Sequence, residues 1–534
     1  MSAFPGVVGP SHALASPRAD CERSINCWRE RITSGQGDNT HYLRKSAGFV
    51  PYITDVTGVN RGAFELNGHT FRVVDDMLYD YYLGVQLGSY GPITNDGSPV
   101  QMAASPTALM VLSAGTLYRL SGTLSLIALT FTPVFIAFTN NYFVSGETGL
   151  FQRFYWSEDD GLTFPAANVQ TAEADANAMV NGVTVNQQLL IIGNRVTQFF
   201  SIGTNADAPF VPMESVEVGT RAPNSVKVVG DSVYMLESTR EGAGSVVRLT
   251  GYQAERVSDY YAARFIAGLS TTTDAIGQAY HLEGHDFIRW TFPTADKTLE
   301  YHVQENDWSE VAWFDWHGIA GTSGTYHRHR AAWIIAADGY VLFGDHTNGM
   351  VCRMSFDIHH DGGFPLRWNR RTPYLVEEGK DVFISELRLG IETGVGLTTP
   401  LWLHTYDRLA ATFVTNLADA VTATSVTAAQ ALILQKVFDC TPHTPLTTFP
   451  TDATMESLGF VKWGEDPQIV MSFSKNNGNV FGQERSRSLG RAGAFSTVVR
   501  WNRIGASPAG VFDFYSTDPT KLALTSASIE AEAN

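Results

Sequence analysis

Two histidine-containing segments are the first candidates for chemistry in this sequence. His327 and His329 alternate along a β-like stretch, which would place both rings on one face of a strand, and His359 and His360 precede Asp361. Imidazole and carboxylate groups are common ligands of zinc and related metals. Neither segment supplies a further ligand at a spacing known from metal sites. The pattern therefore favours solvated loop histidines, and we assign no metal, cofactor or catalytic residue.

A glycosidase is the second chemical possibility. Residues 157–164 read Ser-Glu-Asp-Asp-Gly-Leu-Thr-Phe, the Asp-box pattern of hairpin turns in sialidase-like propellers, and residues 474–481 are a degraded copy. The Asp159 carboxylate and the Thr163 hydroxyl can bond the backbone of their own turn while Phe164 packs between strands, so the motif stabilises a hairpin. Sialidase chemistry would also need converging arginines, a nucleophilic tyrosine and a carboxylic acid pair, and no such set is visible.

Other signatures of chemistry or targeting are missing from the sequence. It contains no phosphate-binding loop, nucleophile elbow or His-Glu-x-x-His motif. Its start does not have the pattern of a secretory signal, and the apolar run 126–138, which Pro133 interrupts, is too short to span a bilayer. Sparse cysteines without Cys-x-x-Cys spacing disfavour zinc and disulfide frameworks and fit synthesis in a reducing compartment. The four cysteines are Cys21, Cys27, Cys352 and Cys440.

Composition and charge narrow the class of protein. The 54 acidic and 37 basic residues give a net charge of −17, which argues against a protein that grips nucleic acid through its phosphates. An acidic surface would let DNA slide past, although net charge also keeps a large protein soluble. The 48 glycines and 31 phenylalanines are typical of a β-rich chain with many turns.

One pattern recurs between about residues 60 and 345: a β-rich run, a tight turn with Gly, Asn or Asp, and a second β-rich run. Consecutive units that begin at residues 188, 231, 278 and 330 are 43, 47 and 52 residues apart, close to the length of a propeller blade. Blades around an axis cover each other's faces. The predicted hairpins lie at residues 68–81, 188–203, 231–239, 278–292 and 330–345, with a further one near 116–126.

We therefore predict an all-β chain, a β-propeller of about six blades with an additional C-terminal β region that carries a partly helical insertion. Residues 417–438 are the best helix candidate, because apolar residues recur along one face. The β pattern resumes at residue 468 and continues through residue 532. The predicted domains are an N-terminal arm and closing strand (1–55), the propeller (56–350), the C-terminal β region (351–396 and 466–534) and the insertion with one helix (397–465).

Short motifs extend the prediction from fold to family. In chain order they are Gly9-Pro-Ser11, Cys27-Trp-Arg-Glu30, Leu43-Arg-Lys-Ser-Ala-Gly-Phe49, Arg61-Gly62, Leu78-Tyr79, Gly193-Asn-Arg-Val-Thr197, Ala222-Pro223-Asn-Ser225, Arg256-Val-Ser258, Gly284-His285, Trp308-Ser-Glu310, Gly344-Asp345, Glu392-Thr393-Gly394-Val-Gly396, Asp466-Pro467, Ser488-Leu-Gly490 and Trp501-Asn-Arg-Ile-Gly505. Together they resemble the packaged-DNA stabilisation proteins of short-tailed phages, which form the hub or nozzle of the tail. Trp28 stands near a usual Tyr, and Ala47 stands where Pro is common.

The resemblance implies a structural protein and not an enzyme. It implies a ring, commonly of six copies, below the head-to-tail adaptor protein, with fibres, spikes or a needle as other tail partners. DNA would pass through the ring without specific binding, and the protein would be made in the host cytoplasm and reside in the virion tail. A propeller glycosidase or a glycan-binding module of a phage particle is the alternative.

The chain departs from the family pattern after Gly396. The family passes almost directly from the Glu-Thr-Gly-Val-Gly motif to the Asp-Pro step, whereas about seventy residues intervene here. We expect this insertion to form a protrusion that docks a neighbouring subunit or another tail protein. Unchanged tail assembly after deletion of residues 399–464 would contradict that expectation.

Overall fold

The computed structural model describes residues 2–4, 6–13, 21–32, 40–149, 152–172, 178–205, 207–239, 242–316, 324–375, 380–404 and 460–533. These residues form two compact units. Unit 1 comprises Met1–Asp55, Lys297–His329 and Cys352–Asn534, and unit 2 comprises Val56–Asp296 and Arg330–Val351. The predicted helix at 417–438 and Cys440 lie outside the described residues. The four-domain division stays a prediction.

Unit 1 begins with five strands and unit 2 continues with four-stranded antiparallel sheets. The first five strands are β1 (Ser2–Ala3), β2 (Arg23–Ile25), β3 (Cys27–Arg31), β4 (His41–Lys45) and β5 (Gly48–Ile53). The first three sheets of unit 2 are β6 (Asn60–Leu66), β7 (His69–Val74), β8 (Met77–Tyr82) and β9 (Val85–Tyr90); β10 (Gln101–Ala104), β11 (Leu109–Ser113), β12 (Thr116–Ser121) and β13 (Thr123–Leu126); and β14 (Pro133–Thr139), β15 (Tyr142–Glu147), β16 (Arg153–Trp156) and β17 (Val169–Thr171).

Unit 2 contains two more four-stranded sheets, one helix and two hairpins. The sheets are β18 (Met179–Val185), β19 (Gln188–Gly193), β20 (Thr197–Ile202) and β21 (Phe210–Val216), then β22 (Lys227–Val229), β23 (Ser232–Thr239), β24 (Gly242–Thr250) and β25 (Gln253–Arg256). The helix is α1 (Tyr260–Ala267), and the first hairpin is β26 (Ile276–Leu282) with β27 (His285–Phe292). After β28 (Lys297–His302), β29 (Asp307–Glu310), β30 (Ala312–Asp315) and β31 (Thr325–Arg328) of unit 1, the second hairpin is β32 (Ala331–Ala337) with β33 (Tyr340–Asp345).

The remaining strands belong to unit 1, apart from Val351 at the boundary. They are β34 (Val351–Ser355), β35 (His360–Asp361), β36 (Phe364–Pro365), β37 (Trp368–Arg371), β38 (Val382–Ile391), β39 (Leu401–His404), β40 (Phe460–Trp463), β41 (Gln468–Ser474), β42 (Arg485–Ser488), β43 (Arg500–Ser507), β44 (Val511–Ser516) and β45 (Ala523–Ala533). Since β41 begins at residue 468 and β45 ends at residue 533, the predicted return of the β pattern is confirmed.

Tight turns with positive φ join the two strands of hairpins in unit 2. Asn67 and Gly68 have φ values of 55° and 83°, and Asp338 and Gly339 have values of 55° and 78°. Two consecutive residues with positive φ match the twist of a two-residue hairpin, which is why Asn-Gly and Asp-Gly predict one. The predicted hairpins are confirmed except for one: residues 231–239 form the single strand β23, which pairs with both β22 and β24.

Unit 1 holds two sheets around one apolar core. One sheet has the order β3-β4-β45-β38-β43 with β1 beside β45, and the other has the order β28-β29-β2-β37-β44-β41-β42. Leu387 and Ile529 from the first sheet and Phe512 and Phe514 from the second share one buried cluster. The two sheets therefore pack face to face through side chains that alternate inward along each strand.

Apolar clusters also join neighbouring sheets within unit 2. Phe135 and Val144 from the third sheet pack with Leu189 and Phe200 from the fourth. This arrangement buries both faces of small sheets that could not bury them alone. No helix in the described ranges is long and apolar enough to cross a membrane.

Candidate functional site

The histidines of the first candidate segment have different neighbours. His327 Nε2 lies 2.9 Å from Thr325 Oγ1 and 3.8 Å from Asp315 Oδ2. His329 is buried, and its backbone N–H donates to Thr298 Oγ1 at 3.0 Å. The prediction of solvated loop histidines is therefore wrong for this segment, since His327 lies on strand β31 and is partly buried. Among the residues that the structure describes, no group of three or more His, Cys, Asp or Glu side chains could hold a metal ion. The thiols of Cys21, Cys27 and Cys352 are buried.

The second segment belongs to a buried polar cluster in unit 1 and not to a solvated loop. His360 is 6% exposed, and its Nδ1 accepts the Gly363 N–H at 3.2 Å. Lys45 Nζ donates to the carbonyl oxygens of His359 and Asp518, each at 3.0 Å. The prediction of solvated loop histidines is therefore wrong here, because His360 is buried on strand β35 and His359 is partly buried.

Burial sets the ionisation of this cluster. It lowers the pKa of Lys45 to about 7, against the opposing charges of Asp361 and Asp518. Burial, together with the positive charge of Lys45, lowers the pKa of His360 to about 4 and that of His359 to about 3. Burial raises the pKa of Asp518. Both imidazoles are consequently neutral at pH 7.

Replacing His360 by asparagine should make the protein less sensitive to acid. Below pH 6.5 the unfolded chain protonates His360, while the folded chain resists protonation down to about pH 4. The folded state thus binds fewer protons, and its stability falls as the pH drops. The amide oxygen of the new side chain can still accept the Gly363 N–H, so His360→Asn should shrink the loss of stability between pH 7 and pH 5 by about 2 kcal/mol.

Urea unfolding of the wild type and of His360→Asn at both pH values measures this difference. Asp518 has a raised pKa and therefore makes the folded state more stable as the pH falls. Because Asp518 is present in both proteins, its contribution cancels when the wild type is compared with His360→Asn. His12→Asn, a partly exposed position in unit 1, is the control and should leave the difference between pH 7 and pH 5 unchanged. An equal loss in the wild type and in His360→Asn would contradict the prediction.

The Asp-box at 157–164 forms a tight turn and also joins two sheets, while the bonds of the Asp159 carboxylate and the Thr163 hydroxyl to that turn stay a prediction. Phe164 is buried, and the Glu158 N–H donates to the Thr163 carbonyl at 2.9 Å across the turn. Asp160, with φ of 53°, accepts a bond from the Thr107 hydroxyl, and Arg119 Nε donates to its carbonyl at 3.0 Å. Thr107 lies in the loop between β10 and β11, and Arg119 lies on β12 of the same sheet. The second aspartate of the motif therefore holds neighbouring sheets together, which the motif alone did not indicate.

The degraded copy at 474–481 behaves as the pattern predicts. Asn476 Oδ1 accepts the Val480 N–H at 2.9 Å, and Ser474 Oγ accepts the Gly478 N–H at 3.0 Å. Both bonds satisfy backbone donors of their own turn, and Ser474 and Phe481 form a β-bridge that closes it. The asparagine thus replaces the aspartate without loss of the turn.

Arg370 is the anchoring centre of unit 1. Its guanidinium is fully buried and donates to the carbonyl oxygens of residues 6, 7 and 10, at 2.6, 2.9 and 3.1 Å respectively. It also donates to Ser24 Oγ at 3.1 Å and to Glu22 Oε1 at 2.8 Å. These bonds occupy all five N–H donors of the group. A Cβ on Gly9 would lie 2.8 Å from Arg370 Nη2, so the Gly-Pro-Ser motif is the chain's close approach to this arginine.

Asp345 is the corresponding centre of unit 2. Its carboxylate is fully buried, pairs with Arg330 Nη2 at 2.7 Å and accepts the Thr347 N–H at 2.8 Å. Asn60 Nδ2 donates to the Asp345 carbonyl at 3.0 Å. A Cβ on Gly344 would lie 2.3 Å from the Trp333 ring, so the Gly-Asp motif combines tight packing with a buried charge.

An exposed basic surface of unit 1 was missed by the sequence analysis. Residues 485–503 contain five arginines and no aspartate or glutamate, a signal that a scan of local charge would have found. Arg485 Nη1 donates to the Asn502 carbonyl at 3.2 Å, and Arg487 Nε donates to the Arg500 carbonyl at 2.8 Å. We call the following residues the arginine surface: Arg485, Arg487, Arg491, Phe495, Val498, Arg500 and Arg503.

Comparison with known proteins places the chain in a family. Residues 25–359 match the family described as bacteriophage P22 Gp10, β-propeller, and residues 451–532 match bacteriophage P22 Gp10, β-sandwich. No curated protein shows significant similarity. Distant likenesses among solved structures include the Neurospora crassa Pan2 WD40 domain, at 9% identity with a TM-score of 0.37 over 55% of this chain and 89% of that chain. BamB from Moraxella catarrhalis has 11% identity and a TM-score of 0.35 over 64% of this chain and 99% of that chain.

The family matches agree with the motifs. They also agree with the neighbouring four-stranded sheets of unit 2 and with the two sheets that pack face to face in unit 1. The propeller match includes the Asp345 centre, and the sandwich match includes strands β41, β43 and β44, which pack in the unit 1 core. The two matches together cover well over half of the chain. The chain therefore belongs to the bacteriophage P22 Gp10 family of packaged-DNA stabilisation proteins and is a structural protein of a phage tail.

Proposed function

We propose that this protein is the ring-forming subunit of a short phage tail, the hub or nozzle below the head-to-tail adaptor. About six copies would surround the DNA path, contact fibres, spikes or a needle, and help to retain the packaged genome. The observation that carries the proposal is the match of both parts of the chain to the P22 Gp10 family in the same order. Synthesis would take place in the host cytoplasm before assembly into the virion.

The buried anchoring centres suit a mechanical role. Arg370 holds the N-terminal segment of unit 1 through five donors, and Asp345 holds the last hairpin of unit 2 through Arg330 and Thr347. Buried charges held by several partners fix one arrangement of the backbone, because any displacement leaves a charge unpaired in a dry interior. A subunit that surrounds DNA must keep its position and need not turn over a substrate.

Imaging of assembled particles tests the proposed function. A phage that lacks this protein should produce heads with truncated tails and should lose packaged DNA, and restoring the protein should restore a symmetric feature below the adaptor. Location on the head surface, or full DNA retention without the protein, would contradict the proposal. Hydrolysis or binding of host surface glycans by the purified protein would instead support the glycosidase or glycan-binding alternative.

The net charge of −17 leads to a proposal about the channel. A wall with few Lys and Arg side chains would allow DNA to pass without adhesion, since phosphate contacts create affinity through counterion release. The assembled ring should therefore bind duplex DNA weakly, with little change between about 50 mM and about 200 mM salt. Tight binding that weakens steeply with salt would show that basic residues line the channel.

The insertion can be tested more sharply than by deletion of residues 399–464. Strands β39 and β40 pair in register, with His404 opposite Phe460, and Trp402 and Leu403 are buried. Replacing residues 405–459 by a two-residue Asn-Gly turn keeps this hairpin and its buried side chains. We expect a folded protein that fails to complete tail assembly.

Thermal melting and particle imaging separate the two effects of this replacement. A melting temperature close to that of the wild type would show that the hairpin is kept. Normal tails assembled from the shortened protein would exclude a docking role for residues 405–459. As a control, an Asn-Gly insertion between Gly122 and Thr123, in the turn that joins β12 to β13, should leave both properties unchanged.

A further inference from the structure

The arginine surface combines exposed charge with exposed apolar side chains. Phe495 is 75% exposed and Val498 is 60% exposed. Arg500 and Arg503 are exposed as well, and they form no ion pair within the described ranges of the chain. Residues 485–503 contain no acidic side chain, although Glu465 pairs with Arg491 at 3.5 Å and so neutralises one of the five arginines. The surface is thus positively charged and partly apolar on a strongly acidic protein.

This mixture favours a protein partner over a nucleic acid. Arginine and aromatic side chains dominate the binding energy of protein interfaces, where a ring buried in the centre excludes water around the charges. A duplex DNA backbone would pair with the arginines but would leave Phe495 and Val498 without apolar contacts. The partner that fits is an acidic surface with exposed apolar side chains.

The chain itself carries such a surface on β21. Val211 and Met213 are 43% and 45% exposed, and Glu214 and Glu217 are exposed beside them. This segment forms the outer edge of the β18–β21 sheet and has no basic residue between positions 204 and 220. The outer strands of the other four-stranded sheets, β9, β13, β17 and β25, have no net negative charge. Among these five strands, β21 alone complements the arginine surface.

We propose that the arginine surface of one copy docks on the β21 edge of a second copy. Arg500 and Arg503 would pair with Glu214 and Glu217, while Phe495 would pack on the apolar side chains of β21. Two different surfaces in contact form a head-to-tail interface, and such an interface closes into a ring when the rotation between copies allows it. The inference deepens the proposed ring function and rests on it, since it names the surfaces that would join the copies.

Charge reversal and charge exchange in the full-length protein test this interface. Arg500→Glu with Arg503→Glu should raise the dissociation constant of the assembly at least tenfold, measured by light scattering after size-exclusion chromatography. Glu214→Arg with Glu217→Arg should have a similar effect. Combining all four substitutions should restore assembly, because the exchanged charges attract again. Arg31→Glu with Arg256→Glu, two exposed arginines elsewhere, matches the change in net charge and should leave assembly unchanged.

Each alternative outcome overturns the inference. A monomeric wild type, assembly of the Arg500→Glu/Arg503→Glu variant at wild-type strength, or no recovery in the fourfold variant would exclude this interface. Unchanged assembly with weakened binding of duplex DNA would assign the arginine surface to DNA. If the Arg500→Glu/Arg503→Glu variant has a lower melting temperature than the wild type, its weaker assembly could reflect lost stability. Phe495→Ser, which changes no charge, then provides a second measurement of the dissociation constant. A tail location in imaged particles would preserve the proposed function even when the interface is excluded.

Discussion

Replacing Arg370 by methionine is expected to destabilise unit 1 by about 3–5 kcal/mol, the usual cost of leaving a buried charge without its partner. The Glu22 carboxylate would stay buried, and the carbonyl oxygens of Gly6, Val7 and Pro10 would lose their donors. The N-terminal segment should detach from β37 as a result. Urea unfolding, together with proteolysis at residues 6–24, measures both consequences.

Two further variants identify the cause of this effect. Arg371→Met changes the neighbouring residue, whose side chain is 28% exposed and lies 3.4 Å from Asp513, and should cost about 1 kcal/mol or less. Arg370→Lys keeps the charge but cannot reach five acceptors from one ammonium group, so it should recover only part of the stability. Equal stability of the Arg370→Met and Arg371→Met proteins would refute the role of Arg370 as an anchor.

Asp345→Ala is the second change with a large expected effect, about 3–5 kcal/mol on unit 2. Arg330 would lose its buried carboxylate partner, and Thr347 would lose the acceptor of its N–H and hydroxyl. The β32–β33 hairpin should become accessible to solvent earlier than the rest of unit 2. Hydrogen exchange of the amides in residues 331–345, compared with urea unfolding of the whole protein, measures the loss.

Asp96→Ala is the matched control for Asp345→Ala. Asp96 also pairs with a buried arginine, Arg61, at 3.0 Å, but its own side chain is 44% exposed. Arg61 retains bonds to the carbonyl oxygens of Ser98, Asp75 and Thr94. The control should therefore cost about 1 kcal/mol or less. A similar loss in both variants would mean that removing a carboxylate partner, and not burial of the carboxylate, determines the effect.

Local features of the fold were predictable from the sequence. The Asn67-Gly68 and Asp338-Gly339 turns predict hairpins because both residues of such a turn need positive φ, which Asn, Asp and Gly accept readily. The strand at 231–239 was misread as a hairpin because its turns lie outside that segment. The alternation of apolar side chains and the residues of tight turns thus predict where strands lie. They do not predict which strands pair with one another.

Long-range features could not be derived from local patterns. Strand β2 pairs with β37, which lies more than 340 residues later, and no turn signal links the two. The same separation hides the contact of Glu22 with Arg370, although the Gly9-Pro-Ser11 motif marked one side of it. The burial of His360 on β35 is not indicated by its neighbours in the sequence, because β35 pairs with β5, which lies more than 300 residues earlier. Motif order revealed the family without revealing these contacts.

The pairing of β4 with β45 has a consequence for the order of folding during synthesis. Leu43 pairs with Leu524, and Ser2 pairs with Ile529, so strands at both ends of the sequence share one sheet. At about 5–20 residues per second, the ribosome needs roughly 25–100 s to produce the later strand after the earlier one. Residues 56–351, which contain the whole of unit 2, are synthesised in that interval, whereas β1 and β4 must wait for the strand that pairs with them. A chain that stops before β45 would leave the β45-facing edges of β1 and β4 unpaired.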